Sequence, residues 1–203
     1  MHKEILTQEQ KELLSLVRKF SRIFGVVGGT AIALYIGHRE SIDFDLFSLK
    51  EFDNNTIRKK IVKSNRIEEI IKDEIGQYTL SIKKVRFTFF HYSYKITFSK
   101  NFEDYFRMPS LLTLAAMKAH VLGRRGKWKD YVDLYFIIKH HFDIDAIVKK
   151  AKRIFVNEFN EKLFRVQLSY FADIDYREKV VFMPGFEVSD EIIKKELTKF
   201  SVS

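Results

Sequence analysis

The sequence predicts a mixed α/β (α+β) fold, in which a lobe built on a mixed sheet is followed by a helical-bundle lobe. In residues 23–36, a short apolar run, two glycines and an Ala/Leu-rich segment predict a strand, a turn and a helix. Residues 41–47 alternate strictly between polar and apolar, as a half-buried strand does. After Pro109 only helical patterns follow. We therefore predict an α/β domain over residues 1–107 and a helical domain over 108–203.

The remaining elements of the first lobe follow from the same patterns. Apolar residues recur at helical spacing over 4–22, and Asn54-Asn55 are suited to cap a basic helix over 56–64. In the strand over 41–47, Ile42, Phe44 and Leu46 are expected to point inward. Residues 82–92 and 95–98 are rich in β-branched and aromatic side chains, which predicts two further strands.

The second lobe is predicted to contain five helices. They cover residues 110–122, 127–140, 144–155, 157–171 and 190–200, and Gly123-Arg124-Arg125-Gly126 turns the chain between the first two. This short turn predicts an antiparallel helix pair, so that Lys118 faces Asp130 or Asp133.

Composition excludes several classes of protein. The 203 residues contain no cysteine, which excludes a disulfide framework, a thiolate metal site and a cysteine nucleophile. No P-loop motif, signal peptide or membrane-spanning segment is expected, so we predict a cytoplasmic protein with no membrane partner. The formal net charge of +9 favours a polyanionic partner such as nucleic acid, although solvated lysine-rich surfaces give the same surplus.

One stretch carries residues suited to phosphate and metal chemistry. Asp43 and Asp45 are two residues apart on a predicted strand, so they share one face with Cα atoms roughly 6–7 Å apart. Their mutual repulsion is relieved by a cation, and hard carboxylate oxygens suit Mg²⁺. Gly28-Gly29 precede a helix, where free backbone N–H groups bind phosphate, and the Thr30 hydroxyl adds a donor. Either motif alone is common, but their conjunction is much more specific.

This conjunction resembles the first motif of the AbiEii/AbiGii-type toxins within the nucleotidyltransferase superfamily, over residues 28–34 and 37–47. Residues 85–94 resemble the central strand of that family and its aromatic end. Residues 114–118 and 125–135 resemble its Lys and Lys-Asp-x-x-Asp motif. The similarity spans residues 23–140 and continues more weakly through 159–170.

The resemblance implies an Mg²⁺-dependent enzyme that takes a nucleoside triphosphate and transfers its nucleotide, in some members to tRNA. It implies the toxin half of a toxin–antitoxin or phage-defence pair, with a cognate antitoxin as a further partner. By motif match, Asp43 and Asp45 are the metal ligands and, with Lys118 and Asp130, the catalytic residues. We expect nucleotide binding by these residues: Gly28, Gly29, Thr30, Arg39 and Asp133.

Several alternatives stay open at this point. Lys118 with Asp130 or Asp133 is also a reasonable structural ion pair in a helical hairpin, and Arg39 is either a phosphate clamp or an ordinary surface residue. Residues 84–89 lack the acid that many polymerase-type nucleotidyltransferases carry on their central strand. Asp130 or Asp133 then substitutes, or one metal binds, or activity is weak or lost.

We expect transfer of a nucleoside monophosphate with loss of pyrophosphate, to tRNA first and a protein side chain second. The alternative is a catalytically weak or inactive binding or regulatory protein that keeps the nucleotidyltransferase fold.

Overall fold

The computed structural model describes residues 1–122 and 126–203 of the chain. The strands are β1 (Gly25–Val27), β2 (Phe44–Ser48), β3 (Glu69–Glu74), β4 (Gln77–Ile82), β5 (Val85–His91), β6 (Lys100–Phe102) and β7 (Phe106–Met108). The helices are α1 (Gln8–Arg18), α2 (Gly28–Ile36), α3 (Asn54–Val62), α4 (Leu111–Leu122), α5 (Trp128–His140), α6 (Ile144–Phe155), α7 (Glu161–Leu168) and α8 (Asp190–Ser201). Short 3₁₀ turns lie at Lys3–Ile5 and Val156–Glu158.

Five strands form one mixed sheet in the order β1-β2-β5-β4-β3, which confirms the predicted fold class. The central pair, β2 and β5, is parallel, and the other neighbours are antiparallel. A second, two-stranded sheet pairs β6 with β7. This order places β2, the strand that carries Asp45, between β1 and β5.

Capping residues place two helix boundaries at positions that differ from the predicted ones. The first helix begins at Gln8 rather than residue 4, because Thr7 and Gln10 form a reciprocal capping box. It ends at Arg18 rather than residue 22. Helix α3 is capped by Asp53, whose carboxylate accepts hydrogen bonds from Asn55 N and Thr56 N, so the prediction of an Asn54-Asn55 cap is wrong.

The strand predictions were correct at the centre of the sheet and wrong at its edge. Strand β2 buries Phe44 and Leu46 as expected, but it starts after Ile42, which is 48% exposed instead of pointing inward. The segment predicted over 82–92 contains β5, whereas residues 95–98 form no strand. Strand β3 was not predicted, since its exposed sequence lacks the apolar alternation of a half-buried strand. Strand β4 was also missed, although Tyr78, Leu80 and Ile82 alternate along it and are buried.

The two halves of the chain share one hydrophobic core. The sheet buries Phe44 and Phe87, and the helices add Ala115, Tyr131 and Leu134 to the same cluster. Helix α2 packs against α4 and α5. The boundary predicted near residue 107 lies within β7, and the division into 1–107 and 108–203 stays a prediction.

Two further predictions concern the helices. Residues 144–155 and 190–200 match α6 and α8 closely, whereas 157–171 contains part of a 3₁₀ turn and then α7. The predicted turn at 123–126 has three residues, 123–125, outside the described part of the chain. Among the described helices, none is long and apolar enough to cross a membrane.

Candidate active site

A cavity of about 520 Å³ lies between one face of the sheet and helices α4 and α5. Seven of the predicted site residues line it: Gly28, Gly29, Arg39, Asp43, Asp45, Lys118 and Asp130. The other two, Thr30 and Asp133, are buried and do not line the cavity. The volume lies within the range of small-molecule binding sites.

The two glycines bring the start of α2 against polar side chains of the cavity. Gly28 has φ +72°, and a Cβ at this position would lie 2.2 Å from Asp45 Oδ2. A Cβ on Gly29 would lie 2.6 Å from Arg39 Nη2. The residue before the helix, Val27, has no side-chain oxygen to cap it, so the first N–H groups of α2 are suited to bind an anion.

Asp45 and Asp43 reach the cavity from β2 and the segment before it. In the sheet, Asp45 lies opposite Val27 of β1 and Thr88 of β5. Asp43 forms an ion pair with Arg86, also of β5. The sequence thus places two carboxylates and one guanidinium on this face of the central strands.

Thr30 fixes the chain just before β2. Its hydroxyl lies 2.9 Å from Ser41 Oγ and donates a hydrogen bond to the backbone carbonyl oxygen of Asp43. Only 2% of Thr30 is exposed, so this side chain ties α2 to the Asp43 segment from inside the protein. A contact from Thr30 to a phosphate stays a prediction.

The donor set fits Mg²⁺ only if the substrate completes it. Asp43 and Asp45 supply hard carboxylate oxygens, and Mg²⁺ binds well to a few carboxylates together with water and phosphate oxygens. Over residues 1–122 and 126–203, no three His, Cys, Asp or Glu side chains are grouped to hold a metal ion. At the positions of β5 that face the cavity, the chain has Arg86 and Thr88 rather than an acid.

A buried network of charges supports the wall of the cavity. Asp133 is fully buried and accepts hydrogen bonds from Arg39 Nε (2.7 Å) and Nη2 (2.9 Å). His38 Nε2 lies 2.8 Å from Asp133 Oδ1, and Lys118 Nζ lies 3.0 Å from Asp133 Oδ2. Lys118 also pairs with Asp130. The prediction that Lys118 faces Asp130 or Asp133 is confirmed, and Lys118 in fact reaches both acids. The interpretation of Arg39 as a surface residue is wrong, because Arg39 is 2% exposed.

These contacts set the protonation states of the network. Burial alone would raise the pKa of Asp133, but Arg39, Lys118 and the hydrogen bond from His38 hold this pKa well below its usual value. Burial lowers the pKa of His38 and outweighs the opposing effect of Asp133. Burial also opposes the charge on Lys118, but Asp130 and Asp133 raise its pKa overall. At neutral pH, Asp133, Arg39 and Lys118 are therefore charged and His38 is neutral.

A segment far along the chain completes the cavity. Residues 169–189, here called the return segment, connect α7 to α8 and are anchored at two places by backbone hydrogen bonds. Trp128 N donates to Asp175 O (3.1 Å), and Glu40 N donates to Val181 O (2.9 Å). Between these anchors, Glu178 lines the cavity.

Sequence reasoning missed Glu178 and Arg86 as site residues. Glu178 pairs with Lys127 (2.6 Å) and Lys129 (3.6 Å), and the Lys127 hydrogen bond is the main cause of its lowered pKa. No local pattern marks Glu178, because it lies in an irregular segment. Arg86 could have been found, since residues 86, 88 and 90 share the face of β5 opposite the buried Phe87.

Solved structures define the class of this fold. A candidate nucleotidyltransferase from H. pylori superposes with TM-score 0.63 at 18% identity, over 96% of this chain and 92% of that one. The nucleotidyltransferase toxin MenT4 of Mycobacterium tuberculosis superposes with TM-score 0.59 at 13% identity, over 95% of this chain and 81% of that one. The chain therefore has a nucleotidyltransferase fold.

The family follows from the sequence comparison. Residues 18–187 match the family described as nucleotidyl transferase AbiEii toxin, type IV toxin–antitoxin system. The chain belongs to this family, which confirms the resemblance drawn from its motifs. A protein of Aquifex aeolicus with no assigned function, aq_aa25, is 30% identical over 96% of this chain and 97% of its own length.

Proposed function

We propose that this protein transfers a nucleoside monophosphate from a nucleoside triphosphate to a hydroxyl group of tRNA, as the toxin of a toxin–antitoxin pair. The observation that carries this proposal is the juxtaposition of the glycine-started helix α2 with Asp43 and Asp45 at one cavity. A helix N-terminus attracts phosphate, and two carboxylates require a cation, so together they suit a metal-bound triphosphate. The residue roles below rest on this arrangement.

In the proposed reaction, an acceptor hydroxyl oxygen forms a bond to the α-phosphorus while the bond to the β-phosphate oxygen breaks. Pyrophosphate leaves, and the hydroxyl proton passes to water. Mg²⁺ held by Asp43 and Asp45 would neutralise charge on the triphosphate and lower the pKa of the attacking hydroxyl. Gly28 and Gly29 position phosphate oxygens at the N-terminus of α2, and Lys118 contributes positive charge from α4.

The buried pair of Arg39 and Asp133 has an indirect part in this proposal. Asp133 holds the guanidinium of Arg39 at two nitrogens, which places its Nη2 atom directly behind Gly29. The guanidinium charge then supports an anion at Gly29 while Asp133 fixes its orientation. Asp130 has the corresponding task for Lys118, with which it forms an ion pair at the cavity wall.

The partners follow from the same chemistry and from the family. A type IV toxin implies a cognate antitoxin, and the net charge of +9 suits an RNA acceptor. We place the reaction in the cytoplasm, where nucleoside triphosphates, Mg²⁺ and tRNA occur together. A protein side chain is the second candidate acceptor.

One observation favours the alternative of an inactive binding protein. Arg86 occupies the central strand and pairs with Asp43, one of the two proposed metal ligands. If this ion pair persists with nucleotide present, the protein keeps the fold and binds partners without catalysis. The following experiment separates the two functions.

We would incubate the purified protein with Mg²⁺, total cellular RNA and each α-labelled nucleoside triphosphate in turn. The proposal expects label in the tRNA size range from the wild type and at least a hundredfold less from Asp43→Asn and Asp45→Asn. Asp104→Asn is the matched control, because Asp104 is exposed on the surface and pairs only with Arg18 among the contacts described. Full transfer by both site variants, or none by a folded wild type, contradicts the proposal.

A further inference from the structure

Three aromatic side chains form one wall of the cavity beyond the carboxylates. Phe47 of β2 contacts Phe90 of β5 at a ring-centroid distance of 5.2 Å and Tyr92 at 5.0 Å. All three residues line the cavity and are half-buried. They lie on the opposite face of the sheet from the buried core residues Phe44 and Phe87.

The sheet register fixes the distance from this wall to the proposed reaction centre. Asp45 lies opposite Thr88, and two residues further along the same strands Phe47 lies opposite Phe90. In parallel strands this is a step of about 6–7 Å on the same face. The aromatic wall therefore begins one step along the strands from the carboxylate that would hold the metal.

The facing wall of the cavity is aliphatic. Helix α4 contributes Leu114, Met117 and Val121 to the lining. Polar side chains of β4 and β5 lie on the same sheet face as the aromatic wall and also line the cavity: Gln77, Thr79 and Thr88. A cavity with aromatic and aliphatic walls and a few amide and hydroxyl groups matches a flat heterocycle whose edge carries hydrogen-bonding atoms.

We propose that Phe47, Phe90 and Tyr92 form a stacking platform for a nucleobase whose phosphate is held near Asp45 and the start of α2. The proposal rests on the proposed function, because it needs a nucleotide phosphate at that place. In a nucleotide, one ribose separates the base from its phosphate, which agrees with a platform one step along the strands from Asp45. Gln77 and Thr79 then face the edge of the base.

The ligand chemistry is the same for two sources of the base. It belongs either to the donor nucleoside triphosphate or to the terminal nucleotide of the RNA acceptor. Base–aromatic stacking contributes enough that removal of one ring weakens binding by about 5- to 100-fold. If the ring only covered the surface of the sheet, its removal would leave the affinity for the ligand unchanged.

The test uses Phe90→Leu, which removes the aromatic face while keeping an apolar side chain, and Phe90→Trp, which restores a π surface. Phe90 is the best target of the three, since it is not among the aromatic residues packed against the hydrophobic core. Tyr170→Leu is the control, because Tyr170 is an exposed aromatic residue that does not line the cavity. Dissociation constants are measured for each Mg²⁺–nucleoside triphosphate, for Mg²⁺–tripolyphosphate and for a short single-stranded RNA.

If the platform exists, Phe90→Leu weakens the binding of a base-bearing ligand by about 5- to 100-fold, and Phe90→Trp restores the affinity. The affinity for Mg²⁺–tripolyphosphate is unchanged in both variants. A loss of affinity for a nucleoside triphosphate assigns the platform to the donor base, and a loss of affinity for RNA alone assigns it to the acceptor base. Unchanged affinity for every base-bearing ligand, or an equal loss for tripolyphosphate, overturns the platform.

The same measurements distinguish a failure of the proposed function from a failure of the stacking platform. If the wild type binds no Mg²⁺–tripolyphosphate and transfers no nucleotide, that function is contradicted, whereas a loss of RNA binding in Phe90→Leu still supports the platform. If the wild type transfers nucleotide but Phe90→Leu binds every ligand equally well, the function stands and the platform is wrong.

Discussion

Gly28 lies so close to Asp45 that the position of this carboxylate depends on the absence of a side chain at residue 28. We predict that Gly28→Ala loses nucleotide transfer, because the new Cβ would lie 2.2 Å from Asp45 Oδ2. The positive φ of +72° adds about 1–2 kcal/mol of destabilisation for a residue with a side chain. Chemical denaturation and the labelled-nucleotide assay measure the two effects.

Gly185→Ala is the matched control for Gly28→Ala. Gly185 also has a positive φ, +88°, but no atom lies within 4 Å of the Cβ that an alanine would add. This variant should lose a similar amount of stability and keep its transfer activity. If Gly28→Ala transfers as well as Gly185→Ala, the contact with Asp45 is unimportant for the reaction.

His38 gives the unfolding free energy a pH dependence of its own. Its pKa in the folded protein is lower than the usual 6.5, because burial disfavours the charged ring. Below pH 6.5 the unfolded chain therefore binds a proton that the folded protein does not, and stability falls as pH falls. One such proton contributes up to about 1.4 kcal/mol per pH unit.

We predict that His38→Gln flattens the stability profile below pH 6.5, because only a chain with His38 takes up this proton when it unfolds. Glutamine keeps an N–H donor toward Asp133 and does not titrate. The contribution of Asp133 is lost only at lower pH, since its folded pKa is depressed below the usual 3.8. Urea denaturation across this pH range measures the slope. Parallel profiles for wild type and His38→Gln would contradict the prediction.

At the level of elements, strand β5 presents the cationic side chain of Arg86 to the cavity. Arg86 pairs with Asp43 and therefore competes with a metal ion for this carboxylate. We predict that Arg86→Gln binds Mn²⁺ up to about fivefold more tightly than the wild type in the absence of nucleotide. The gain is small because the Arg86 side chain is 42% exposed, and pairs of this kind contribute about 0.2–1 kcal/mol.

Calorimetric titration with Mn²⁺ measures the effect of Arg86→Gln. Arg66→Gln, a change of the same charge at an exposed position outside the cavity, should leave Mn²⁺ affinity unchanged. Weaker binding in Arg86→Gln would show that the guanidinium supports the metal site instead of competing with it.

The elements also show which features of this fold are readable from local sequence. Helix α2 and the strand containing Asp45 were predictable, because glycine placement and polar–apolar alternation are local signals. The two glycines were predicted as a turn before this helix, but they form its first two residues. Strand β3 was not, because it is an exposed edge strand whose pairing with β4 determines its conformation. The return segment is held by backbone hydrogen bonds to residues such as Trp128 and Glu40, so its path depends on distant partners.

The same distinction applies to the candidate site. Asp43, Asp45 and Lys118 were predicted from motifs, and the structure brings them to one cavity. Glu178 was missed because its position follows from the path of the return segment. The burial of Arg39 was missed too, since a charged residue before a strand reads as exposed until its partner Asp133, 94 residues away, is known.

For the whole molecule, the shared core implies that the two predicted domains unfold together. Helix α2 packs on α4 and α5, and the buried pair of Arg39 and Asp133 joins the halves. Separating the two halves would break the ion pair of Arg39 with Asp133 and expose a large part of the common core. We predict one cooperative transition. Native-state hydrogen exchange should give equal opening free energies for β5 and α5. Both should equal the unfolding free energy from denaturation followed by the fluorescence of Trp128, the single tryptophan. A lower opening free energy for β5 alone would support independent folding of residues 1–107.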